Sequence, residues 1–174
     1  FFVFCLNCFL KVSFIFFCFL SKLFPKKFSG KIVMTKYNNL CKTTKICKGN
    51  LGIVRRKMPQ FDGKVLKEFL KHLKKKKVKV SRKKSINVGG LKATQNQING
   101  DFVNTLCKTS AKKRNKFLKD PIIISKNNYI VDGHHRWATA KTCGRKISAV
   151  KIDLDFKKIY KLSKKFNVKY EKIN

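Results

Sequence analysis

Residues 121–144 constrain this chain more than any other stretch. Pro121-Ile122-Ile123-Ile124 is a β-branched run opened by a proline, which marks a strand start. Asn127-Asn128 suits a turn into Tyr129-Ile130-Val131, so the two runs should form a hairpin. Asp132-Gly133 is a tight turn, and from His134 the pattern becomes helical until Gly144 stops it. A buried strand that passes through a glycine turn into a helix aims backbone N–H groups and the positive end of the helix dipole at whatever sits above the turn. An anion is the natural occupant. Two imidazoles, a guanidinium and a carboxylate stand at the same point.

The flanking sequence supplies further elements. Asp62 can cap a helix whose apolar face is Val65, Leu66, Phe69, Leu70 and Leu73. Val78-Lys79-Val80 reads as a short strand, and Gly89-Gly90 as a break. Thr94-x-x-Gln97 has the form of a capping box, which predicts a second helix with Ile98, Phe102 and Leu106 as its buried stripe. Residues 110–119 read as a basic loop. Residues 147–154 read as a strand with Ser148, Val150, Ile152 and Leu154 on one face, followed by a Lys-rich tail with room for a short helix.

Each residue of the central turn has a chemical reading. Asp132 can cap the helix or hold a metal ion, and is the candidate metal ligand. Gly133 permits a positive φ and a close backbone approach. His134 and His135 are adjacent, about 100° apart around a helix, so together they do not make a zinc site. One of them can face a phosphate as hydrogen-bond donor or proton carrier. Arg136 offers a two-pronged donor to phosphate oxygens. The plainer alternative is an N-cap aspartate beside solvated His and Arg side chains. Thr94 and Gln95 belong to a second polar stretch, 91–97, suited to holding a base or ribose. Its plain alternative is an ordinary helix cap. His72, on the polar face of the first helix, reads as an exposed surface histidine. No GxSxG, HExxH or Walker-type lysine loop is present in the sequence.

Charge bears on partners. Lys and Arg number 43 against 8 Asp and Glu, a formal net charge of +35, so the chain binds polyanions whatever else it does. An AT-rich genome would also inflate Lys, so part of this charge reads as solvated surface. The densest run, 71–84, has nine Lys or Arg in fourteen residues. With Lys112-Lys113-Arg114 it suits a phosphodiester backbone. Aromatic residues are sparse there, which argues against a base-stacking platform.

Residues 1–24 are nearly all apolar, of a length that suits a membrane span or signal sequence. The first Met is residue 34, and ten of the sixteen Phe lie within residues 1–28. The expectation is that 1–33 is an extension upstream of the natural start, with a membrane anchor through 1–24 as the alternative. Residues 34–50 read as a linker, 51–156 as the domain and 157–174 as a basic tail. The seven Cys are irregularly spaced and read as free thiols.

The string Pro121-Ile-Ile-Ile-Ser, followed by Tyr129-Ile-Val-Asp-Gly-His-His-Arg-Trp-Ala, resembles the ParB/sulfiredoxin-like superfamily, and within it the ParB-like nuclease domain group. The 51–60 segment and the Leu91-Lys-Ala-Thr-Gln-Asn run are similar to earlier motifs of that group, so the likeness covers about residues 50–155. It implies a small α+β domain, a short mixed sheet with flanking helices, holding ATP or another nucleoside phosphate. Asp132, Gly133, His134, His135 and Arg136 would lie on the phosphates, with Thr94 and Gln95 in the same pocket. Sulfiredoxins place a reactive Cys where this chain has His134, so sulfinic-acid repair is not expected. About twenty residues follow the last expected strand, so a downstream helix-turn-helix of the partition type is not expected either.

The resulting expectation is phosphoester chemistry, as a nuclease or a nucleotide-dependent phosphotransferase. Asp132, His134, His135 and Arg136 would be catalytic, with Mg or Mn as the divalent metal. The alternative is a DNA-binding protein without catalysis. The partner is a nucleotide or nucleic acid, DNA first, and the location the cytoplasm or nucleoid, or a membrane if 1–24 is genuine.

Overall fold

A computed structural model describes residues 37–166 and residue 168, and the expectations for residues 1–33 lie outside them. The compact unit that contains these residues begins at Tyr37. Its centre is a four-stranded mixed sheet in the order β1-β4-β2-β3, built from β1 (Val80–Ile86), β2 (Ile122–Ser125), β3 (Ile130–Asp132) and β4 (Ile147–Ile152). β2 and β3 form an antiparallel hairpin, and Asn128 at φ 64° makes its turn. β2 runs parallel to β4, and β1 pairs antiparallel with β4 at the other edge. The helices are α1 (Leu40–Thr43), α2 (Gly63–Lys75), α3 (Gly100–Lys108), α4 (Ala111–Leu118), α5 (His134–Thr142) and α6 (Phe156–Ser163). The expected α+β class with a mixed sheet and flanking helices is met.

Alternation along the strands explains the layering. In β2, Ile122 and Ile124 enter one apolar layer with Ile98, Val103 and Trp137, while Ile123 enters the other with Phe69, Leu73 and Ile159. β4 divides likewise, Ile147 and Ala149 to the first layer and Val150 and Ile152 to the second. A strand covered on both faces needs apolar residues at every position, which is why 122–124 is an unbroken Ile run. α3 and α5 thus supply one layer and α2 and α6 the other. The predicted face of β4 through Val150 and Ile152 is present, and the opposite face is buried as well.

Several elements depart from expectation for identifiable reasons. Asp62 does cap α2, accepting from the N–H groups of Lys64 and Val65, and Phe69 and Leu73 are its buried positions. The strand expected at 78–80 is β1, displaced toward the C-terminus because residues 80–86 find a partner in β4. Thr94 does not start a helix. Its carbonyl accepts from Ile53 N–H, and Asn96 N–H returns to the Ile53 carbonyl, so the capping-box side chains serve long-range contacts instead. α3 begins six residues later under Asn99, whose side chain accepts from Phe102 N–H; Phe102 itself is exposed. Residues 111–118, read as loop, are helical because the Ser110 side chain accepts from Lys113 N–H. There Arg114 turns inward and donates to the Cys107 and Thr109 carbonyls, so it closes the end of α3.

Within residues 34–50 Leu40 and Cys47 are buried, and within residues 157–174 α6 buries Ile159. Cysteines read as free are bonded in two pairs, Cys41 to Cys47 and Cys107 to Cys143. His72 is half-buried against the edge of Phe166. Among the described residues, no helix is long and apolar enough to cross a membrane.

Candidate functional site

The site is built where β3 ends and α5 begins. Gly133 is the N-cap of α5 at φ 90° and ψ 29°, the left-handed region that L side chains avoid. A Cβ there would lie 2.7 Å from Ile122 Cγ2 and 2.9 Å from Arg136 Nη2. The glycine therefore serves two ends at once: it makes the turn, and it lets the Arg136 guanidinium fold back over it. No side chain makes a capping hydrogen bond to α5, whose first-turn N–H groups lie at the positive end of the helix. Asp132, expected as a cap, is displaced by one position. Its Oδ1 accepts from the Gly133 N–H at 2.7 Å and its Oδ2 from the Phe61 N–H at 3.3 Å.

A cavity of about 280 Å³ opens at this point. Asp132, Gly133, His134, His135 and Arg136 line one side; Arg55, Met58, Pro59 and Gln60 line the other, and Gln95 and Phe117 complete it. All of the expected residues except Thr94 reach the cavity. Thr94 sits fully buried behind it, with its hydroxyl donating to the Ile130 carbonyl at 2.7 Å and its oxygen 2.9 Å from His134 Nε2. The ring of His134 is thus pinned from behind.

The two histidines are held neutral. Burial lowers the His134 pKa to about 3, helped by the charges of His135 and Arg55. Burial and the Arg55 guanidinium lower His135 to about 4. Arg55 Nη1 lies 2.9 Å from His135 Nδ1 and 3.1 Å from Nε2, and Asn99 N–H donates to Nε2 at 3.1 Å. At neutral pH each imidazole is therefore uncharged, with one N–H to donate and one nitrogen to accept. Asp132 shifts in the opposite sense: burial raises its pKa, against the pull of Arg136 and of the Phe61 and Gly133 N–H groups. Arg136 Nη2 lies 3.8 Å from Asp132 Oδ2, a loose ion pair, and donates to the Pro121 carbonyl at 3.4 Å. Its Nε is buried without a partner.

Arg55 is the residue that sequence reading missed. It lies in the short 3-10 turn Arg55–Lys57, and its N–H donates to Gln97 Oε1 at 2.9 Å. An Arg pair three residues before Pro59 was the available signal, but nothing local says that this turn meets the start of α5. Among the described residues no three His, Cys, Asp or Glu side chains gather as a metal site, and Asp132 is the one carboxylate lining the cavity.

Neither a protein-family model nor a curated protein matches the chain. One solved structure is similar, a pNOB8-like ParB N-domain, at 22% identity. The match covers 52% of this chain and 35% of that one, with a TM-score of 0.33. The chain thus spans about a third of that structure's length, and so loose a superposition bears no functional weight.

Proposed function

We propose that the cavity at the start of α5 binds the phosphate group of a nucleotide or a nucleic acid. One observation carries this reading: an uncapped helix start, opened by a left-handed glycine, faces a cavity that two guanidiniums line. Arg136 brings a buried Nε that no protein atom satisfies, and Arg55 brings a second positive charge beside His135. The neutral imidazoles leave the charge balance to the arginines and shape the wall. At about 280 Å³ the cavity is at the small end of ligand pockets, which run to roughly 300–1,000 Å³, so it suits the phosphate-bearing end of a ligand. The resemblance of the 121–138 motif to nucleotide-binding ParB-like domains supports the same assignment.

A second reading, phosphoester cleavage or transfer, has one observation on its side. Asp132 is a buried carboxyl with a raised pKa beside a guanidinium in the cavity, the kind of perturbation that accompanies acid–base work. The same experiment tests both. The purified chain is titrated with ATP, CTP and a short duplex, with and without Mg²⁺ or Mn²⁺, and products are followed in parallel. Binding that weakens about 10–100-fold in Arg136→Ala, the range of a charged hydrogen bond, supports the first reading. Product formation that vanishes in Asp132→Asn supports the second. Wild-type affinity for all three ligands in Arg136→Ala sinks the assignment of this cavity.

A further inference from the structure

A second, separate cavity of about 310 Å³ lies beyond the other end of α5. Lys84 near the end of β1, Asn115 and Lys119 of the α4 region, and Arg145, Lys146 and Ser148 at the entry to β4 line it. α5 has nine residues, so the two cavities are separated by about the 13 Å length of that helix. Four cations gather around one concavity, where an external anion would relieve their mutual repulsion. Five other lysines have partners within the protein. Lys126 pairs with Asp155, Lys151 donates to Asn128, and Lys92, Lys141 and Lys164 lie over aromatic rings. Among the described residues no carboxylate pairs with Lys84, Lys119, Arg145 or Lys146; Asp120 follows Lys119 in the chain without bonding to any of them.

Geometry extends the patch. β1 is an edge strand, and Arg82, Lys83 and Lys84 are exposed along it. Residues two apart on a strand lie about 6.6 Å from one another, which is two steps of the roughly 3.4 Å axial rise per phosphate on one strand of duplex DNA. No aromatic ring lines the cavity, so it offers donors for phosphates and nothing to stack on a base.

We propose that this second cleft grips the phosphodiester backbone of a nucleic acid without reading its sequence. The inference is independent of the first cavity. Duplex DNA of random sequence is added to the intact chain, and lysine acetylation is read by mass spectrometry. Lys84, Lys119 and Lys146 should be protected, whereas the exposed Lys64, Lys67, Lys71 and Lys74 of α2 should not be. Fluorescence anisotropy across a salt series then gives the slope of log affinity against log salt. Neutralising the four cleft cations together (Lys84→Gln, Lys119→Gln, Arg145→Gln, Lys146→Gln) should reduce that slope by about 3 to 4, close to 0.9 for each phosphate left without its cation. Equal protection of the α2 lysines, or an equal drop in slope on neutralising those four instead, would overturn the proposal as diffuse charge. Protection by anionic lipid vesicles but not by DNA would overturn it in favour of a membrane surface. The nucleotide titration of Arg136→Ala is read separately, so a failure of either site leaves the other standing.

Discussion

The Thr94 hydroxyl gives its proton to the Ile130 carbonyl at 2.7 Å while its oxygen lies 2.9 Å from His134 Nε2. One buried hydroxyl thus ties the last residues of the hairpin to the first residue of α5. Thr94→Val keeps the shape and removes both hydrogen-bonding partners. The Ile130 carbonyl then loses its hydroxyl donor in a buried place, while His134 Nε2 keeps the Thr94 N–H at 3.2 Å. A loss of about 1–3 kcal/mol is expected in urea denaturation. Unchanged stability would mean that the hydroxyl holds nothing.

The paired histidines make stability depend on pH. His134 and His135 have folded-state pKa values of about 3 and about 4, against 6.5 in the unfolded chain. Below about pH 6.5 the unfolded chain takes up two protons that the folded one refuses. Their stabilisation is therefore complete above pH 6.5 and is lost as pH falls through 4 and then 3. Asp132 works in the opposite direction, because its raised pKa makes the folded state take up a proton first as pH falls. It offsets at most one of the two protons. A net decline of up to about 1.4 kcal/mol per pH unit for each uncompensated proton is expected between about pH 6 and 4.5. Urea unfolding at a series of pH values measures it, and a flat profile contradicts it.

Gly133→Ala tests the turn. An alanine at φ 90° costs about 1–3 kcal/mol, and its Cβ would meet Ile122 and the Arg136 guanidinium. The melting temperature should fall and ATP or CTP binding should weaken even where the variant is fully folded, because Arg136 is pushed off its seat. Calorimetric melting and a ligand titration below the melting point separate the two effects.

Two helix-opening glycines should respond with opposite sign to the same change. In Gly100→Ala the new methyl would lie 2.9 Å from the Asn38 carbonyl oxygen and from Leu40, so a loss of about 1–3 kcal/mol is expected. In Gly63→Ala nothing stands within 4 Å, and a gain of up to about 1 kcal/mol follows from the stiffer unfolded chain. Urea denaturation of the two variants side by side is the measurement.

What could be read from the sequence was the part fixed by local pattern. The Ile122–Ile124 run, the Asn127-Asn128 turn, the helix stop at Gly144 and the Asp62 cap all depend on neighbours within a few residues, and each stands as expected. Long-range competition defeated the rest. Thr94 has a capping-box spacing, but Ile53 and Ile130 claim its backbone and hydroxyl first. Arg55 reaches the cavity across eighty residues of chain, a meeting that no local pattern encodes. The protonation of His134 and His135 depends on burial behind that arginine, which also lay beyond the sequence.

The strand order matters to the chain while it is being made. β1 ends at Ile86 and its partner β4 starts at Ile147, so about 60 residues must emerge before the two can zip together. At ribosomal rates of roughly 5–20 residues per second, the interval is several seconds. An unpaired strand is an invitation to other nascent chains, and like charges on its surface repel them. The charges of Arg82, Lys83 and Lys84 would thus discourage such pairing while the ribbon stands alone.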